Sequence, residues 1–181
     1  MKAMWTGSAL TLHNLGLAAG FGGSLFGHTA LHPAVRTIED KKERGELLNK
    51  AWMGFSPVNA FALSSVALTW IIGRSQLSGG EIDGETRGLV LAKDILVGLY
   101  TATGVGALVI GLTWGKREPP VEQGGEPAAE TPEVDAKALK TVNWLGKGNI
   151  LCAAGIIALT AILNIKAGRS QKWSLLSWVL P

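Results

Sequence analysis

Cysteine is almost absent from this 181-residue sequence, and charge is absent from long stretches of it. The single cysteine, Cys152, excludes a disulfide framework, and its place in an apolar run is typical of a buried, unreactive thiol. The sequence contains no GxSxG, HExxH or phosphate-binding glycine loop, and no paired carboxylates within an apolar stretch. These absences predict a protein that is not an enzyme.

Four long segments contain no Asp, Glu, Lys or Arg: 3–35, 51–73, 95–115 and 148–165. Because about 20 apolar residues allow a helix to cross the hydrocarbon core of a bilayer, each segment predicts a transmembrane helix. Six of the seven tryptophans lie near the ends of these segments, as expected for rings at the headgroup level. We therefore expect an all-α membrane protein with four transmembrane helices in an antiparallel bundle. The expected spans cover about residues 8–32, 52–73, 94–115 and 144–166.

The segments between and after these spans are polar or mixed. Residues 36–50 alternate in charge and predict a solvated helix or turn. Residues 116–135 are rich in Pro and Glu with little to bury, which predicts a flexible extramembrane linker. Residues 172–181 combine Trp, Leu and Val and predict a segment lying on the membrane surface.

Two prolines suggest where helices end or begin. Pro33 is expected to stop regular structure after the first span. Ser56 and Pro57 are interpreted either as the N-cap and first residue of the second span or as a kink. The first span is expected to be retained and not removed as a secretory signal.

A faint internal repeat joins the ends of the second and fourth spans. Residues 67–76 (ALTWIIGRSQ) and 158–171 (ALTAILNIKAGRSQ) both begin with ALT and both end with GRSQ. This repeat indicates two duplicated helical hairpins of the same orientation, with chance recurrence of common membrane residues as the alternative.

The formal net charge is only +3, and the basic residues are spread over every connection, which favours contact with lipid headgroups and not nucleic acid. The connections after the first and third spans carry nine Lys and Arg residues against seven on the other side. By the positive-inside rule we expect both termini outside the cytoplasm.

The first span carries five glycines, and four of them form a face. At about 100° per residue, Gly16, Gly20, Gly23 and Gly27 fall within a stripe roughly 60° wide. Small residues at a spacing of four allow helix backbones to approach closely in lipid. The stripe is therefore expected to dock either other helices of the same bundle or a second copy of the chain.

Polar side chains within the spans divide between the two ends of the expected bundle. Such side chains either form a functional site or make hydrogen bonds between helices. One end collects His28, His32, Asn59 and Asn149, and the other collects His13, Asn14, Arg74, Asp94 and Asn164.

The three histidines, all near the first span, suggest two kinds of ligand. His28 and His32 are spaced i and i+4, so both could hold one metal ion, with Met53 and Cys152 as the scarce sulfur donors. His13 and His28, about 22 Å apart along a helix, could instead each hold a haem or chlorophyll. Bis-histidine haem would need a second histidine from a dimer or partner subunit, because the other helices have none.

The segments LHNLGLAAGFGGSLFGHTALHPAV and WMGFSPVNAFAL resemble bacterial four-helix membrane families of the transmembrane protein 205 type and the copper-resistance D membrane domain. The resemblance rests on Leu12, His13, Gly22, Gly23 and Pro33, and covers about the first seventy residues. It implies a four-helix bundle and, for the copper-resistance branch, metal handling.

Two hypotheses follow. The first is a non-catalytic accessory or scaffold subunit of a bacterial inner or other energy-coupling membrane, in contact with lipid and with other membrane subunits or its own copy. The second is a membrane protein that binds haem, chlorophyll or copper through His13, or through His28 and His32.

Overall fold

The computed structural model describes residues 2–76, 84–114 and 117–170, and nearly all of them are helical. The four long helices are α1 (Lys2–Phe26), α3 (Lys41–Gln76), α4 (Gly84–Trp114) and α5 (Glu133–Ser170). Between α1 and α3 the chain forms a π-helical turn (Gly27–Leu31), the short helix α2 (His32–Ala34) and a 3₁₀ turn (Val35–Thr37). Over the described ranges no strand is present, which confirms the prediction of an all-α chain.

Helices α3, α4 and α5 are long and apolar enough to cross a membrane. The described residues of α1 do not meet the same requirement for length and apolar composition together. Two polar side chains, His13 and Asn14, and several glycines dilute the apolar character of α1. The prediction of membrane helices thus holds for three of the four expected spans.

The chain does not leave helical structure at Pro33 as predicted. Proline has no N–H to donate to the carbonyl four residues earlier, and its ring crowds that carbonyl. The chain accommodates this in the π turn immediately before α2, and helical structure continues to Thr37. The helix therefore widens in the turn before Pro33 and does not end at this proline.

Helix α3 begins eleven residues before the expected second span, at Lys41. The carboxylate of Asp40 accepts hydrogen bonds from the backbone N–H groups of Lys42 and Glu43, both at 2.8 Å, and so caps the helix. Pro57 lies inside α3, which excludes the interpretation of Ser56 and Pro57 as a helix start. The charged segment and the apolar span are one helix.

The main core lies where all four long helices meet. Its buried members are Leu17, Leu63, Val66, Val97, Tyr100, Ala153 and Ile156. A smaller cluster of Val35, Leu48 and Val121 joins the α1–α3 connection to the segment before α5. This second cluster attaches residues 117–132 to one end of the helices, called here the loop end.

The glycine stripe of α1 lies against helices of the same chain. A β-carbon on Gly16 would lie 2.9 Å from Cβ of Ser65 in α3. The hydroxyl of Tyr100 fills the space beside Gly20, and the rings of Phe55 and Trp52 fill it beside Gly23 and Gly27. The stripe is thus covered by α3 and α4.

Residues 117–132 are folded, although the sequence predicts a flexible linker over 116–135. The backbone N–H of Val121 donates to the carbonyl of Lys41 at 3.0 Å, and Val121 and Ala128 are buried. Gly125 adopts φ +79°, a left-handed conformation that glycine takes without strain and that reverses the chain. Residues 133–135 already belong to α5, and the predicted surface segment 172–181 lies outside the described residues.

Candidate functional site

The loop end carries a cavity of about 410 Å³. We call it the outer cavity, and it is lined by His28, His32, Arg36, Gly124, Lys147, Ile150 and Leu151. The π turn supplies His28, and α2 with the following 3₁₀ turn supplies His32 and Arg36. The folded loop and α5 supply the remainder. Three separate stretches of the chain therefore converge on one cavity: the α1–α3 connection, the folded loop and α5.

His32 is fixed by hydrogen bonds at both ring nitrogens. Its Nδ1 lies 3.1 Å from the carbonyl oxygen of Gly124, and its Nε2 lies 3.3 Å from Nε1 of Trp52. Because an indole nitrogen only donates and a carbonyl only accepts, His32 is neutral and carries its proton on Nδ1. The ring is therefore a bridge between α2, α3 and the loop.

His28 is less constrained. Its ring lies 5.0 Å from the ring of His32 and 5.8 Å from that of Trp52, measured between centroids. Among the described residues its ring nitrogens have no hydrogen-bond partner. A β-carbon on Gly146 of α5 would lie 2.9 Å from Nε2 of His28, so the absence of a side chain there makes room for the ring.

A second cavity of about 110 Å³, the inner cavity, lies deeper between the helices. His28 lines both cavities. The polar residues around the inner cavity are Ser24, Asn49, Ser56, Asn59, Asn143 and Asn149. The two predicted residues Asn59 and Asn149 thus share this cavity with His28.

The two asparagines differ in how they are satisfied. Nδ2 of Asn149 donates to the carbonyl of Tyr100 at 2.8 Å, which joins α5 to α4. Oδ1 of Asn59 is buried and has no partner among the described residues. Asn149 therefore serves helix association, whereas Asn59 presents an unused acceptor beside the inner cavity.

The opposite end of the helices holds a separate polar cluster. Asp94 accepts hydrogen bonds from Nε1 of Trp70 at 2.8 Å and from Nε of Arg74 at 3.1 Å. The ammonium of Lys93, a buried residue, lies 4.3 Å from the centre of the Trp70 ring. Asn164, predicted for this end, is exposed and is not part of the cluster.

His13 belongs to the same end and is buried. Its Nδ1 lies 2.9 Å from the hydroxyl of Thr69, which itself donates to the carbonyl of Ser65. His13 therefore donates from Nδ1, and its buried Nε2 has no partner among the described residues. Asn14, next in sequence, is exposed.

These arrangements do not fit the predicted two-histidine metal site. Both nitrogens of His32 are engaged, so a metal ion bound by His28 and His32 would have to displace Gly124 or Trp52. In the described part of the chain no three His, Cys, Asp or Glu residues are grouped as metal ligands. Within the described ranges, His28 is therefore the one histidine of this pair whose ring nitrogens are available to a metal ion or cofactor.

A tetrapyrrole at His13 does not fit either. A tetrapyrrole ring beside His13 would need free space along the glycine stripe of α1. The side chains of Ser65, Tyr100 and Phe55 occupy the space beside Gly16, Gly20 and Gly23. His28, which opens onto two cavities, is the histidine with adjacent free volume.

Sequence reasoning did not identify Arg36 and Lys147 as site residues. Arg36 lies in the charged segment 36–50 and Lys147 lies within the expected fourth span, and they meet at one cavity because the loop folds back over the helices. The Gly124–Gly125 pair is a turn signal that could have indicated this fold-back.

No family model, curated protein or solved structure matches this chain.

Proposed function

We propose that this protein is a non-catalytic integral membrane protein that acts as an accessory or scaffold subunit. The observation that carries the proposal is the distribution of side chains. Large apolar residues are exposed on all four long helices, whereas His13, Ser65, Thr69, Asn149 and Thr160 are buried between them. Lipid as the surrounding solvent accounts for this arrangement, because it rewards apolar outer surfaces and internal polar contacts.

We further propose that α1 is a fourth span and that neighbouring helices are antiparallel. From Gly16 to Gly27, the α3 residues beside α1 change from Ser65 to Trp52. The α4–α5 pair follows the same reversed order, because Leu96 lies beside Gly155 and Gly106 lies beside Leu145. This order supports a bundle of two antiparallel hairpins, in agreement with the repeat that suggests duplication.

A partner subunit or second copy would bind the outer surface in this proposal. The glycine stripe is already covered by the chain's own helices, so it offers no free face. Exposed side chains such as Leu15, Phe61, Leu99 and Leu151 form the surface that remains for lipid and for other membrane subunits.

The decisive experiment is membrane fractionation followed by purification in a mild detergent. We expect the protein to resist extraction by alkaline carbonate, to require detergent, and to co-purify with a membrane partner or with its own copy. A compact, detergent-free soluble protein would refute membrane insertion, and a strictly monomeric protein without partners would refute the accessory role.

Topology is tested separately. We propose, from the Lys and Arg distribution, that Lys42 faces the cytoplasm and that the membrane is a bacterial inner or other energy-coupling membrane. Lys42 is exposed, so Lys42→Cys provides a labelling site. Labelling of intact cells by a membrane-impermeant maleimide would contradict this orientation.

A second candidate function is binding of one haem, chlorophyll or metal ion through His28. The observation that favours it is that His28 lines both cavities and has free ring nitrogens among the described contacts. An absorption spectrum and metal analysis of the purified protein test it. A chromophore or stoichiometric metal lost in His28→Ala would support this candidate, and a colourless, metal-free protein would oppose it. The resemblance to the copper-resistance D type remains a prediction under the same test.

A further inference from the structure

We propose that the outer cavity binds the phosphate group of an acidic phospholipid. This inference rests on the proposed membrane insertion and adds a ligand class and a site to it. The side chains that face the ligand are Arg36, Lys147 and His28, with Ile150 and Leu151 on the adjoining wall.

The charge of the cavity is one-sided. The ionisable residues that line it are basic or histidine, and no carboxylate lines it. Glu126 of the folded loop acts electrostatically on His32 but is not part of the lining. A basic pocket between helices at a membrane surface is the arrangement that binds anionic headgroups.

The two strongest donors have unused capacity. Nε of Arg36 donates to the carbonyl of Gln123 at 3.1 Å, which orients the guanidinium and leaves its two terminal nitrogens without partners among the described residues. The ammonium of Lys147 lies 5.6 Å from the centre of the Trp144 ring and has no carboxylate partner in the described part of the chain. Arginine and lysine in this state are suited to phosphate oxygens.

The position along α5 selects a lipid over a free anion. Trp144 is 75% exposed and lies where the apolar part of α5 begins, and an exposed tryptophan at such a boundary marks the headgroup level. Lys147 lies about one turn further along α5, and Leu151, 73% exposed, lies one turn beyond it. A phosphate beside Lys147 therefore places acyl chains along Leu151 and Ile150.

The test is native mass spectrometry of the full-length, delipidated protein in detergent, titrated with phosphatidylglycerol or phosphatidylcholine. We expect phosphatidylglycerol to bind more tightly, and Lys147→Gln to weaken it about fivefold, the effect of removing one basic residue at a membrane surface. Arg36→Gln should weaken it similarly, whereas Lys147→Arg should retain it. Lys140→Gln is the matched control, because Lys140 is an exposed lysine of the same helix that does not line the cavity.

Two outcomes would overturn the inference. Equal phosphatidylglycerol binding by the original protein and by Lys147→Gln would show that the cavity is not the site. Lys147-dependent binding of inorganic phosphate without phosphatidylglycerol binding would assign the cavity to a soluble anion. Either outcome in a protein that still requires detergent leaves membrane insertion intact, so the two proposals fail separately.

Discussion

Gly125 of the folded loop lies directly against the ring of His32. A β-carbon on Gly125 would lie 2.8 Å from Nδ1 of His32, the same nitrogen that lies 3.1 Å from the carbonyl oxygen of Gly124. The loop thus depends on a glycine at one position and a backbone carbonyl at the position before it.

The first prediction concerns this pair of glycines. Gly125→Ala should destabilise the protein by about 2 kcal/mol, because the left-handed φ disfavours a side chain and the methyl group would crowd His32. Thermal unfolding in detergent measures the change. Gly124→Ala is the control, since nothing lies within 4 Å of its β-carbon position. Equal melting temperatures for both variants would contradict the described loop.

The second prediction concerns the glycine stripe. Leucine at both Gly20 and Gly23 should prevent folding, because Tyr100 and Phe55 occupy the space beside them and each overpacked site costs about 1–3 kcal/mol or more. Size-exclusion chromatography of detergent-solubilised protein should show aggregation. Gly22→Leu should behave like the original protein, because its β-carbon position is open. Normal elution of the double variant would refute the covered stripe.

The third prediction concerns Asp94. Asp94→Ala should cost about 1–3 kcal/mol, because Trp70 and Arg74 would each lose the hydrogen bond that Asp94 accepts. Chemical or thermal unfolding in detergent gives the value. Glu85→Ala removes a carboxylate that is 76% exposed and paired with Lys166, and such an exposed pair contributes about 0–1 kcal/mol. A larger loss of unfolding free energy in Glu85→Ala than in Asp94→Ala would contradict the prediction that Asp94 contributes more to stability.

The fourth prediction concerns pH and the folded loop. A hydrogen bond from the backbone N–H of Glu130, together with the ammonium of Lys41, lowers the pKa of the Glu130 carboxyl below its usual value. A lowered pKa in the folded state means that the stabilisation is present above the ordinary glutamate pKa and is lost as pH falls through the folded value.

Limited proteolysis of the loop over an acid pH series tests this sign. We expect cleavage within residues 117–132 to increase as the pH is lowered. This increase should be smaller in Glu130→Gln, because glutamine does not titrate. Glu133→Gln is the control, because the ion pairs of Lys41 are with Glu122 and Glu130. Cleavage that rises instead with increasing pH would contradict the prediction.

The helical fold was predictable from the sequence, but several boundaries were not. Long charge-free runs specify helices because the apolar signal extends over many residues. The start of α3 at Lys41 was not predicted, because the charged residues before Trp52 do not have the apolar signal of the span. They nevertheless belong to the same helix. Pro57 gave a boundary signal at a position where α3 continues without a break.

The candidate site was predictable in part, for a related reason. The spacing of His28 and His32 on one helix places them together, and their ring centroids lie 5.0 Å apart. The loop that engages His32 could not be anticipated, because its attachment depends on two buried residues, Val121 and Ala128, in a segment of polar composition. Arg36 and Lys147 become neighbours of one cavity only through that tertiary contact.

The π turn at Gly27–Leu31 determines the direction around the helix axis in which the side chains after it point. A π turn accommodates an additional residue compared with regular α-helix, and one residue corresponds to about 100° of rotation. Deleting a single residue here would swing His32 and Arg36 around the axis while leaving the glycines before it in register with α3. This widened turn therefore lets one continuous helix face a neighbouring helix along most of its length and a distant loop at its end.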